Sequence, residues 1–219
     1  MTRWGPPEGG HYKRARRTPC ASLLLAATAA VVFLWPGLAT HLQYDRAALA
    51  AGEGWRLVAG HWAHYSLDHL FWDVLAFAAL GVACERKGSA RFLVCVVTSA
   101  LAISCSVWLL LPGMQIYRGL SGVDSALFTL LVADLWDEQR QTGQVRSQVI
   151  AVLCLVAFLL KIGFEVRTGR NIFVSGLDAG TVGVPLAHIV GAGCGLLVGS
   201  CSRLMLRSSH IRQWSSSTT

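Results

Sequence analysis

Apolar residues in this chain come in long blocks, roughly 18 to 22 residues each, separated by polar or glycine-rich connections. A helix of that length crosses the hydrocarbon core of a bilayer with its backbone N–H and C=O groups bonded inside the segment. Few other folds can use such blocks. Composition agrees, with 14% charged residues and a mean hydropathy of +0.49, where a soluble domain carries about 25% charged residues. The chain reads as an all-α, polytopic membrane protein. Six spans are expected, over about 20–42, 61–84, 92–111, 119–138, 145–165 and 181–202. They form one membrane domain at 20–205, between a basic tail at 1–19 and a C-terminal tail at 206–219.

An even number of spans puts both termini on one side. Thirteen of the 19 lysines and arginines fall on the termini and the even-numbered turns. The positive-inside rule then makes both termini cytoplasmic and turns the start of the fourth span outward. The net charge of +7 is thus a matter of orientation, and no nucleic-acid partner is expected. The seven cysteines lie mostly inside apolar runs, with no Cys-x-x-Cys pair; they read as small apolar packers. The first apolar run follows a basic start but meets Trp35-Pro36 with no clear small-residue cleavage site, so it is not read as a signal peptide. Nothing in the pattern fixes an oligomeric state.

Between the third and fourth spans stands Tyr117-Arg118-Gly119-Leu120-Ser121-Gly122. Glycines here let other backbones come close. A helix N-terminus offers free N–H groups and the positive end of a dipole to a developing anion. A nucleophilic serine uses that setting, although Ser121 could equally be a simple cap.

Ionisable groups inside a bilayer each need a partner or a task. The second span carries His61-Trp62-Ala63-His64-Tyr65-Ser66-Leu67-Asp68-His69 and then Asp73. His69 and Asp73, four apart, share a helix face. These groups could face interfacial water, ligate a metal or haem, or line a polar cavity opposite Ser121. The sixth span favours the cavity. His188, Gly191, Gly195 and Gly199 fall on one stripe that admits a neighbouring backbone. Gly122, Ser125 and Ala126 offer the matching small face on the fourth span. Packed that way, His188 comes within reach of Ser121, a hydroxyl that needs a base at neutral pH.

With Trp55-Arg56, His64-x4-His69, Gly119-Leu120-Ser121-Gly122 and Ala187-His188-x2-Gly191 in this order, the chain resembles the rhomboid family of intramembrane serine proteases. The likeness covers about residues 55–199. It implies a six-helix bundle with a water-filled cavity open to the outer side. It implies a catalytic dyad of Ser121 and His188 with no third acid required. The Ser121 N–H and His69 would hold the oxyanion, and His64 and Gly119 would shape that region. Trp55 and Arg56 would shape the first loop. Substrates would be transmembrane segments in the lipid bilayer, with no cofactor and no metal, and the setting a bacterial inner membrane. The short chain, Lys161 with Glu165, and Ala187-His188-Ile189-Val190-Gly191-Ala192 are similar to the rhombosortase branch. That branch would process C-terminal Gly-Gly sorting tails.

Three positions depart from the family pattern. Asp73 stands where an oxyanion-binding asparagine is usual; as a neutral acid it could still donate. Ser125 replaces an aromatic residue that would stack on the histidine, leaving Trp72 to supply such support. Asp124 is unusual in the first turn after Ser121. These departures keep a second function open, a weak or inactive rhomboid-like protein that binds and escorts membrane helices. The glycine-containing connection at 167–180 is expected either to cap the cavity or to be a plain linker, and the fifth span to serve as a lateral gate.

Overall fold

The computed structural model describes residues 18–142, 145–168 and 184–216. Its helices are α1 (Cys20–Leu34), α2 (Leu38–Leu42), α3 (Arg46–Ala50), α4 (Arg56–Ala59), α5 (Leu67–Lys87), α6 (Ser89–Leu110), α7 (Ser121–Thr142), α8 (Val145–Thr168) and α9 (Pro185–Ser216). A 3₁₀ turn covers Gly60–Trp62. Two short strands, β1 (Tyr44–Asp45) and β2 (Ile116–Tyr117), pair antiparallel with Tyr44 opposite Tyr117.

Four helical stretches are long and apolar enough to cross a membrane: Leu67–Lys87, Ser89–Leu110, Gln148–Thr168 and Pro185–Ser202. Two of the six expected spans, the first and the fourth, are not among these four. The first run is cut to 15 residues, because Trp35-Pro36 ends α1 and Gly37 turns the chain at φ +78° into the separate α2. The fourth, α7, is 22 residues long but carries Asp124, Asp134, Asp137 and Glu138. Asp124 lies in first turns that are surrounded by protein, with Val123, Asp124, Ser125, Ala126, Leu127 and Thr129 all buried, while Asp134 and Glu138 further along pair with Arg91 and Lys87. At the other end of the chain, α9 continues as helix to Ser216.

The second span begins later than expected. The Ser66 side chain accepts the N–H of His69 and caps α5, so His61 and His64 lie ahead of the helix. Only Gly88 separates α5 from α6. Phe77, Phe92, Ile103, Leu127 and Leu130 fill the space between α5, α6 and α7. At its far end α5 reaches α1. Buried Glu85 accepts the N–H groups of Ala21 (3.1 Å) and Ser22 (2.8 Å), two of the orphan donors at the α1 N-terminus.

Candidate active site

Each residue leading into α7 is held separately. Ile116 and Tyr117 sit in the two-residue ladder with β1. Arg118 donates to Gln43 Oε1 (2.8 Å) and to the His64 carbonyl (3.2 Å), and its guanidinium lies 5.0 Å from the Tyr65 ring centroid. The Gly119 carbonyl is 3.3 Å from Nδ1 of His61. Gly119 has φ +118°, and a Cβ there would stand 2.7 Å from His69 Nε2. Both the backbone and the space require glycine. Arg56, buried, supports this region from below by donating to the Gln43 carbonyl and pairing with Glu53. Trp55 is exposed.

His61 is the functional-site residue that the sequence did not single out. Its ring is fully buried, with Nε2 3.0 Å from the Ala100 carbonyl and 3.1 Å from Ser104 Oγ. Burial lowers its pKa from the usual value to about 4, despite the two carbonyls that favour its charged form. It is therefore neutral at physiological pH, with one ring N–H to donate, and it sits between the Gly119 loop and α6. A histidine beside two others in one polar run gave no sign of which would turn inward.

The next two residues are held by Asp73. Its Oδ2 accepts the N–H of Leu120 at 2.8 Å and of Ser121 at 3.2 Å. The same oxygen lies 3.3 Å from His64 Nε2 and 3.2 Å from His69 Nε2. Four nitrogens converge on one oxygen, which acts as an acceptor toward both backbone groups. A carboxylate oxygen occupies the first N–H groups of α7, where an incoming anion would bind. His64 reaches Asp73 from the extended segment before α5, with its Nδ1 3.1 Å from the Trp62 carbonyl. The His64 and His69 rings meet edge to face at 5.0 Å.

On the other side of Ser121, α7 lies against α9 with no room for a side chain at Gly191 or Gly195. A Cβ on Gly191 would stand 1.9 Å from the Gly122 carbonyl oxygen, and one on Gly195 would stand 2.0 Å from that of Ala126. Thr129 Oγ1 crosses the seam to the Ala192 carbonyl (2.8 Å). Ser125 does not turn to the histidine; its hydroxyl donates back to the Ser121 carbonyl. This backbone-to-backbone seam brings Ser121 and His188 to the wall of one cavity of about 460 Å³. His69, Trp72, Asp73, Asp124, Lys161 and Glu165 share that wall. Ser121 is partly exposed to it, while His188 is buried.

His188 has a close neighbour that the sequence did not pair with it. Nδ1 lies 2.9 Å from Oε2 of Glu165, whose other oxygen is 2.7 Å from Lys161 Nζ. The distance is that of an ion pair, but the ring N–H is turned off the line needed for a well-formed hydrogen bond. Among the described residues no three His, Cys, Asp or Glu side chains are disposed to hold a metal ion. The connection expected to cap the cavity, 167–180, lies almost wholly outside the described residues.

The fold and site define a multi-pass helical membrane protein with a cavity at the N-terminus of an inner helix, its wall largely apolar but carrying several ionisable groups. A family model described as the Rhomboid domain matches residues 51–204. The chain belongs to the rhomboid family. It is 27% identical over 139 residues to "Putative rhomboid protease YdcA" of Bacillus subtilis (strain 168), covering 63% of this chain and 68% of that protein. It is also 27% identical over 140 residues to "Rhomboid protease GluP" of the same organism, covering 64% of this chain but only 26% of GluP.

Proposed function

We propose that this chain is an intramembrane serine endopeptidase working with Ser121 as nucleophile and His188 as base. The observation that carries this reading is the shared cavity: a glycine-flanked serine and a buried histidine, on helices joined by a glycine seam, in a member of the rhomboid family. His188 takes the Ser121 proton as Oγ adds to a peptide carbonyl, then returns it to the departing amine. Water deacylates the serine by the same exchange. The tetrahedral oxyanion is held by the Ser121 N–H and His69 once Asp73 withdraws from them.

The substrate is a transmembrane segment, cleaved near the outer membrane face. Its helix has to open before the carbonyl is reachable, so helix-breaking residues at the cut favour cleavage. Gly-Gly sorting tails at the C-terminus of exported proteins fit that requirement. Entry passes α8. Of the four membrane-length helices it is the least covered by protein, with 11% of its span buried against 28–39% for the others. Its contact with α7 includes Phe128 against Phe158 at 5.0 Å. The six-helix count takes α1 and α7 as the remaining spans, in one domain with both termini in the cytoplasm and the bilayer an inner membrane.

Labelling of the full chain in detergent by a serine-directed fluorophosphonate tests the reading. The parent is labelled, and Ser121→Ala and His188→Ala are not. Equal labelling of all three, or none, supports a second reading. In that reading the protein binds and escorts membrane helices without cutting them, and the Asp73 carboxylate seated on the Leu120 and Ser121 N–H groups favours it.

A further inference from the structure

The pair assigned above stands beside a third group that a serine–histidine dyad does not call for. We propose that Glu165 is a positioning residue for His188, fixing the imidazole with its proton on Nδ1 and leaving Nε2 as the base for Ser121. The site is then a Ser121–His188–Glu165 triad, steadied by Lys161. This rests on the proposed protease function.

Glu165 Oε2 is 2.9 Å from His188 Nδ1, and the two side chains are 3% and 6% exposed. A carboxylate only accepts, so the nitrogen beside it is the one that carries the proton. The other nitrogen keeps its lone pair. A buried carboxylate on a membrane helix is costly unless a partner or a task holds it there. Lys161, one turn earlier, engages Oε1 and leaves Oε2 for the ring. Neighbouring Leu160, Phe164 and Val166 are exposed on the outer side of α8, so Glu165 is the polar residue that this turn directs inward. The ring N–H is off the line at 2.9 Å, and catalytic hydrogen bonds often tighten when substrate binds. The other charged or titratable groups on the cavity wall are Asp124 from α7, His69 and Asp73 from α5, and Lys161 from α8.

Two measurements on the full chain test the triad. The first is the rate of fluorophosphonate labelling. In Glu165→Gln it falls at least about 10²-fold as the tautomer is lost. Glu165→Asp restores part of the rate. An unchanged rate in Glu165→Gln, with Ser121→Ala and His188→Ala unlabelled, overturns the triad and leaves the protease standing. An unlabelled parent overturns the protease and the triad with it. The second is ¹⁵N-histidine NMR of the parent, assigned with His188→Ala, which needs neither activity nor a folded Glu165 variant. The Nδ1–H tautomer is expected at His188, and the Nε2–H tautomer overturns the assignment.

Discussion

Helix α5 sends a carboxylate to the N-terminus of another helix at each end. Glu85 binds the first N–H groups of α1, and Asp73 binds those of α7. The local chemistry is the same, an acceptor satisfying donors that no backbone carbonyl can reach. The surroundings differ. Glu85 is buried at a plain helix junction. Asp73 has His64 and His69 against the same oxygen and a cavity in front of it. One cap serves the fold alone. The other holds the site together while sitting where an oxyanion would go.

Changes around these two caps test the contrast, and the strongest strikes the loop that Asp73 holds. Gly119→Ala forces a side chain into a left-handed backbone and against His69. It should remove all fluorophosphonate labelling and cost about 1–3 kcal/mol or more of stability. Thermal unfolding together with labelling checks both.

Next comes the histidine on the other side of that loop. The folded state holds His61 near pKa 4, below its usual 6.5, so the unfolded chain binds the extra proton between those values. The stability His61 contributes is complete above about pH 6.5 and is lost as pH falls toward 4. The loss is on the order of 3 kcal/mol. Unfolding midpoints should drop across that window, and His61→Asn should flatten the drop while lowering stability at neutral pH. A parent curve flat from pH 6.5 to 4 removes His61 as an anchor.

The smallest effects compare the caps directly. Glu85→Gln keeps an acceptor for α1 but weakens a charge-assisted bond, costing about 1 kcal/mol, with the labelling rate per folded molecule unchanged. Asp73→Asn keeps an acceptor for Leu120 and Ser121 and removes the charge that opposes an oxyanion. Labelling should rise, by up to about tenfold, roughly 1.4 kcal/mol. Complete loss in Asp73→Asn would mean that the charge itself is needed, and the two caps would differ in kind.

Much of the bundle could be read from the chain. The runs that become α5, α6, α8 and α9 are long and apolar, and the His188-Gly191-Gly195 stripe identifies the face that meets α7. What could not be read depends on distant partners. Tyr65 and Trp62 made 61–66 look like part of a span, yet the chain turns there before Ser66 starts α5. That Asp73 accepts from two N–H groups 47 and 48 residues away could not be read from its own helix. Lys161 and Glu165 were visible as a pair. The approach of Glu165 to His188 was not, since helical period does not say which way α8 is rotated.

The two caps on α5 stand twelve residues apart, about 18 Å along a helix. Because each is bonded to the first turn of a different helix, the length of α5 sets how far below or above α1 the serine-bearing turn begins. Depth in the bilayer is thus measured out by one rigid rod. A residue added between Asp73 and Glu85 would lengthen the rod by about 1.5 Å and swing one end by about 100°, so that only one of the two helices could remain docked.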